Sequence, residues 1–205
     1  LRLYIDKLTA VGVISNQDAE AMIEAYRAAM DAGTNPNKSI YHDYKSTSDW
    51  APFLKPVKWN QSIKTGVSLA MLKKLANRLT DIPSDFKLHS RVEKIITDRR
   101  AMGEGKLPID WGMAENLAYA SLVQTGHGIR LTGQDSGRGT FFHRHAVIRD
   151  QVAADQNERI YVPLCHIDPQ QADFVVIDSM LSEEAVLGFE YGYATTQPNE
   201  LVIWE

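Results

Sequence analysis

The stretch GQDSGRGTFFHRHAV, residues 133–147, gathers three glycines, two arginines, two histidines and one acid into fifteen positions. The whole chain has only six histidines in 205 residues, yet His143 and His145 stand one residue apart. In an extended segment that spacing puts both side chains on one face. A histidine exchanges a proton near neutral pH, so the pair suits acid–base catalysis or anion binding. It also offers two metal ligands, with His166 the nearest third; ordinary hydrogen-bonded histidines are the plain alternative. Arg130, Arg138 and Arg144 can grip a carboxylate or phosphate with paired donors, although surface solvation explains each of them more simply. Asp135 can pair with an arginine or orient a histidine. Gly133, Gly137 and Gly139 fit neither a P-loop nor a dinucleotide fingerprint. They follow an apolar run, and loops beyond the carboxyl ends of parallel strands build sites where glycine lets backbone approach a ligand; a plain surface loop is the rival reading.

A second place to look is Ser182-Glu183-Glu184. Serine is a common N-cap, and carboxylates in a first turn favour the helix dipole. The position also lies just past a strand, FVVID, where a parallel sheet offers a ligand site. A carboxyl shielded there would keep its proton near neutral pH. Cys165 sits in an apolar run and reads as a buried, inert thiol.

These residues need a frame. ISNQDAEAMIEAYRAAMDAG is a helix, with Ser15 and Asp18 as a capping box, Gly33 as its stop, and Ala19, Met22, Ile23, Tyr26, Ala29 and Met30 as a buried stripe. Residues 34–66, broken by Pro36, Pro52 and Pro56, read as an extended connection that Trp50, Phe53, Leu54 and Trp59 pin to a neighbouring surface. A helix over residues 68–82 follows, capped by Ser68, with Leu69, Leu72, Leu75, Ala76 and Leu79 inward. Another runs over 84–105, capped by Ser84 or Asp85 and ended by Gly103 or Gly105. Beyond Pro108, MAENLAYASLVQTG is a helix ended by Gly126. GIRLTG, RIYVPLCHI, FVVIDSM and LVIWE read as strands and SEEAVLGFEYGYATTQ as a helix. This alternation predicts an α/β fold with a mainly parallel sheet and flanking helices. The boundary falls near 106: a helical connecting region over 1–106 and an α/β domain from 107 to 205.

The totals exclude several classes. A net charge of −4 gives no electrostatic reason for nucleic acid or an anionic membrane as partner. A single cysteine allows no internal disulfide. No apolar run approaches the roughly 18 residues of a membrane span. The amino end lacks a signal-peptide layout, and both ends read as cuts through a longer polypeptide.

The run ENLAYASLVQTGHGIRLTGQDSGRGTFFHRHAVIRDQ, then YVPLCHI, then DSMLSEEAVLGFEYGYATTQPNELVIWE, resembles the decarboxylating first components of 2-oxoglutarate dehydrogenase complexes. The resemblance is strong over residues 110–205 and weaker, though consistent in layout, over 1–109. It implies thiamine diphosphate and Mg²⁺ bound between the two subunits of a homodimer, and a truncated pyrimidine-binding domain of the transketolase type from residue 107. It further implies that DSMLSE places on Glu183 the carboxyl that bonds the pyrimidine ring, and on Leu181 the bulky aliphatic that holds the cofactor bent. His145 falls where the family keeps a histidine and His143 at a more variable place; both would bond substrate oxygens or move protons. The implied reaction decarboxylates 2-oxoglutarate and passes the succinyl group to the lipoyl arm of a dihydrolipoyl succinyltransferase, in a bacterial cytoplasm or a mitochondrial matrix. The family's Gly-Asp-Gly metal motif occurs nowhere in this sequence. The metal and diphosphate ligands are therefore expected outside these residues, and the chain is expected to be an internal piece, inactive by itself. A 2-oxoadipate enzyme of the same family is the near alternative. A non-catalytic assembly module and a metal hydrolase on His143, His145 and His166 are the rivals from other classes.

Overall fold

The computed structural model describes residues 1–34, 48–152 and 159–205. Its backbone divides into two compact units, Leu1–Ser46 and Thr47–Glu205.

The first unit contains α1 (Arg2–Ala10) and α2 (Asn16–Asp31). The capping box at the start of α2 is formed: the Asp18 amide donates to Ser15 Oγ at 3.0 Å and the Ser15 amide donates to Asp18 Oδ2 at 2.9 Å. Two orphan donors are thereby satisfied. The expected buried stripe is not realised. Of its members only Ala19 is buried, while Met22, Tyr26 and Met30 are exposed. Helical spacing produced a face, but nothing in this two-helix unit is broad enough to cover it.

In the second unit, residues 35–47 of the expected connection lie outside the described residues; the remainder is pinned in part. The Trp50 indole N–H donates to the Thr195 carbonyl at 2.9 Å and its ring meets Phe53 edge-on at 6.2 Å. Trp59 is wholly exposed and Leu54 largely so, so they pin nothing.

Helix α3 (Leu69–Leu79) begins where Ser68 Oγ accepts from the Met71 amide. Leu75, Ala76 and Leu79 are buried, but Leu69, in the first turn, is exposed. Helix α4 (Ser90–Glu104) starts later than the sequence suggests, with His89 as N-cap. The residues before it are used elsewhere: Asp85 pairs with Arg159, and the Lys87 amide donates to Asp150. Gly105, at φ 80°, closes the helix in the left-handed region that favours glycine. Gly103 lets α3 and α4 touch, since a β-carbon there would stand 2.6 Å from Ala76 Cβ.

Helix α5 (Trp111–Gln124) is capped by Asp110, whose Oδ1 accepts from the Met113 amide at 2.7 Å. Strand β1 (Gly128–Gly133) follows, then β2 (Ile148–Arg149), β3 (Ile160–Tyr161), β4 (Phe174–Asp178), α6 (Glu183–Thr196) and β5 (Glu200–Trp204). β1 is the central strand of a parallel sheet ordered β4-β1-β5, with Leu131 opposite Val176 and Ile203. β2 and β3 form a separate antiparallel pair. The long strand expected over 159–167 is only two residues, because Pro163 removes a ladder donor and opens a 3-10 turn, Pro163–His166. Cys165 on that turn is exposed rather than buried; its thiol donates to the Phe174 carbonyl at 3.3 Å, and partial desolvation pushes its pKa up.

Strand alternation explains the layers. Ile129 and Leu131 point into a core with Leu75, Met113, Leu117 and Val123, so α3 and α5 cover that face. Arg130, between them, points to the other face, where it meets Glu190 of α6. Residues on both sides of position 106 therefore share one core.

Leu75 is fully buried at the centre of that core. Leu75→Ala should cost about 2–5 kcal/mol, read as a lowered denaturant midpoint in equilibrium unfolding followed by circular dichroism.

Candidate active site at the carboxyl edge of the sheet

The loop after β1 folds back on itself. The Ala146 amide donates to the Gly137 carbonyl at 2.8 Å, and the His145 amide to the Arg138 carbonyl at 3.0 Å. The Gly137 amide donates to Asp178 Oδ1 at 2.8 Å, tying the loop to the end of β4. The glycines serve this self-packing. A β-carbon at Gly137 would meet the Val147 side chain at 2.9 Å, and one at Gly139 would strike the His143 ring at 2.6 Å.

Arg144 anchors the loop. Its side chain is 4% exposed and forks onto Glu115 of α5, Nε to Oε2 at 3.0 Å and Nη2 to Oε1 at 2.9 Å. Nη1 donates to the Ser136 carbonyl at 2.9 Å and also pairs with Glu205. Burial opposes the charge, but the two carboxylates outweigh it and hold the Arg144 pKa above its ordinary value. The backbone beside it is held as firmly. Arg99 of α4 donates to the carbonyls of His143 and Arg144 at 2.8 and 2.6 Å, and Asn116 donates to Arg144 at 3.2 Å. Gly112 makes room, since a β-carbon there would lie 2.1 Å from the His143 oxygen.

Each of the three arginines already has a carboxylate partner, Arg138 at the exposed surface. Arg130 is taken by Glu190, Arg144 by Glu115, and Arg138 by Asp135 at 2.5 Å while stacking over Phe142. Asp135 plays the arginine-pairing role, one of the two open to it.

The two histidines do not share a face. The segment is not extended: Phe142 and His145 have φ of 56° and 39°. His143 lines an open cavity of about 590 Å³ with Trp111, Glu115, Phe141 and Trp204; its Nε2 lies 3.7 Å from Glu115 Oε2, and its buried Nδ1 has no partner. His145 lines a separate cavity of about 240 Å³ with Asp135, Arg138, Arg149 and Asp178, at the carboxyl ends of β1 and β4. Burial first, then the charges of Arg99, Arg138 and His143, lowers the His145 pKa, so it is a neutral imidazole at pH 7, able to donate and accept. His166 instead stacks on Tyr161 at 4.7 Å. Among the described residues no group of three His, Cys, Asp or Glu side chains can hold a metal, so the three histidines form no metal centre.

Glu183 is the first residue of α6, and Ser182 before it makes no side-chain capping bond. Glu183 and Glu184 are both exposed, so this chain alone does not shield the carboxyl. Leu181 is about half exposed. Neither Glu183 nor Leu181 lines the His145 cavity. The sequence reading missed Glu115, Arg99 and Asp178. Glu115 had a signal: it is a lone carboxylate inside an otherwise apolar helix, and a charge there needs a partner. Arg99, one of several charges in a polar helix, had none.

The family described as transketolase, pyrimidine binding domain, matches residues 108–205. The chain is 50% identical over 206 residues to a 2-oxoglutarate dehydrogenase E1 component of Cupriavidus necator, covering 100% of this chain and 22% of that protein. It is 45% identical to the same component of Azotobacter vinelandii, covering 99% and 21%. It is 43% identical to that of Haemophilus influenzae, covering 100% and 21%. The chain thus spans about one fifth of the length of the curated relatives it matches.

Glu115→Ala removes the two-bond fork and leaves Arg144 with only Glu205 and the Ser136 carbonyl; it should cost about 1–3 kcal/mol, seen as a shifted unfolding midpoint. For His145 the folded pKa lies below the unfolded value of 6.5, so the unfolded chain binds more protons just below pH 6.5. Its contribution to stability is complete above that value and is lost as pH falls through the folded pKa. Unfolding measured from pH 7.5 down to 5 should show the decline, and His145→Gln should flatten it.

Proposed function

Residues 108–205 belong to the transketolase pyrimidine-binding domain family, in a chain homologous along its length to part of 2-oxoglutarate dehydrogenase E1 components, and from that premise we propose its role. The chain is the part of a longer, homodimeric enzyme that holds the aminopyrimidine ring of thiamine diphosphate. That enzyme decarboxylates 2-oxoglutarate and hands the succinyl group to the lipoyl arm of a succinyltransferase. The single observation behind this is identity of 43–50% along this chain to about one fifth of three such components. In this reading residues 1–106 are the helical connecting region and 107–205 the start of the pyrimidine-binding domain; the matched span, 108–205, supports the second part.

The residues present fit the ring. Glu183 opens α6 just past β4, its exposed carboxyl without a hydrogen bond or ion pair to another described side chain, and Leu181 offers an aliphatic surface two positions before it. A carboxyl and an aliphatic side by side can take the edge and the face of a heterocycle. No site for Mg²⁺ is found among the described residues, so no step is assigned to it and its ligands are expected elsewhere in the enzyme. When bound, thiamine diphosphate supplies the electron sink for the carbanion that decarboxylation leaves.

Glu183 would hydrogen-bond a ring nitrogen of the pyrimidine. Exposed here, it would be shielded in the enzyme by the ligand and the second subunit. Leu181 would offer the bound cofactor an aliphatic surface to rest against. His145, neutral and half-buried, donates to or accepts from a substrate oxygen at the sheet edge. His143 faces another cavity and acts at most through the loop backbone it shares with His145.

In the full-length enzyme, Glu183→Ala should lower turnover by roughly 10²–10⁴-fold with dimer and complex assembly intact; undiminished turnover overturns the reading. For the 205-residue chain alone, calorimetric titration with thiamine diphosphate and Mg²⁺ should show no micromolar binding.

A further inference from the structure

Arg130 and Glu190 form an ion pair between β1 and α6, with Glu190 buried and Arg130 largely so. Nε donates to Oε2 at 2.7 Å and Nη2 to Oε1 at 2.9 Å, with side chains only 15% and 4% exposed. The guanidinium also lies over Tyr193 at 4.6 Å and Phe189 at 5.4 Å, and the Tyr193 hydroxyl donates to Glu200 at 2.9 Å. A charge pair this deep is a costly way to glue a helix to a sheet, because apolar residues of similar volume serve as well. Its distinctive property is direction: a bidentate fork fits in one orientation.

Helix α6 needs such a device. Val186 and Glu190 are its only residues classed as buried, while Leu187, Phe189 and Tyr191 are exposed, so greasy contact alone fixes its rotation poorly. Glu183, Val186 and Glu190 are spaced i, i+3, i+7 and share one face. Glu190 is clamped against the middle of the sheet. Two turns earlier on the same face, Glu183 emerges at the carboxyl edge.

We propose that Arg130 and Glu190 are a positioning pair, which sets the rotation of α6 and thereby aims the Glu183 carboxyl at the cofactor ring. This rests on the role given to Glu183 above. Arg130 and Glu190 touch neither substrate nor cofactor in this account; they act through the helix.

The test uses the full-length enzyme and four readouts: affinity for thiamine diphosphate by calorimetry, deuterium uptake at the thiazolium carbon of the bound cofactor, steady-state KM, and thermal unfolding. Glu190→Gln should slow deuterium uptake by about 10–100-fold and weaken cofactor affinity several-fold, with KM for the 2-oxo acid unchanged. Combining it with Glu183→Ala should add no more than twofold to the loss from Glu183→Ala alone, because both act through one carboxyl. Arg130→Lys keeps the charge without the fork; it should stay folded yet show the same slowing, which decides the matter should Glu190→Gln fail to fold. The swap of Arg130→Glu with Glu190→Arg should restore part of the rate. A folded Arg130→Lys or Glu190→Gln with wild-type uptake and affinity, beside a defective Glu183→Ala, overturns the positioning pair alone. Losses that multiply in the double variant overturn it too. A Glu183→Ala enzyme with wild-type uptake overturns the cofactor reading, and the positioning pair with it.

Discussion

The guanidinium of Arg144 is a charge the fold cannot leave alone. Placed under the surface, it must be matched by carboxylate and carbonyl oxygens or its burial would cost several kcal/mol. Meeting that demand draws Glu115 from α5, the Ser136 carbonyl from the loop, and Glu205 from beyond β5 into one cluster. Arg99 then ties the carbonyls on either side of the same residue to α4. The loop so held carries left-handed backbone at Asp135, Phe142 and His145. The position of His145 above the ends of β1 and β4 follows from this clamp.

The sheet supplies the other half of the arrangement. Because β4, β1 and β5 are parallel, their carboxyl ends lie on one edge. The loop after β1 and the start of α6 after β4 both leave from that edge. Chain order thus sets His145, Asp178 and Glu183 along one border of the domain. Alternation along β1 does the rest: its even residue, Arg130, is given to α6, and its odd residues, Ile129 and Leu131, to α5.

Much of this is written in local chemistry that a sequence displays. Ser15 with Asp18, Ser68, Gly105 and Gly126 mark helix ends because capping depends on one residue and its near neighbours. The apolar runs of β1, β4 and β5 and the helices between them announce a parallel α/β sheet. The failures have a common cause in long-range pairing. Ser84 and Asp85 look like caps, but Asp85 is claimed by Arg159, 74 positions away. Met22 and Tyr26 sit at core spacing without a covering element. The same-face reading of His143 and His145 assumed extended backbone, and spacing cannot report a positive φ. Arg130 and Arg144 looked solvated because their acids, Glu190 and Glu115, are remote in sequence. The roles of Glu183 and Leu181 became legible only through resemblance; their local pattern alone reads as an ordinary helix start.

The far end of α6 is closed by residues some 145 positions earlier, the Trp50 indole on the Thr195 carbonyl and the Ser48 hydroxyl on that of Thr196. Mechanically this makes the helix a cantilever, built in at its tail, propped at mid-span, and overhanging at its tip. Deflection of such a beam concentrates at the overhang, so the tip can yield to an arriving molecule while the tail and the sheet beneath stay put.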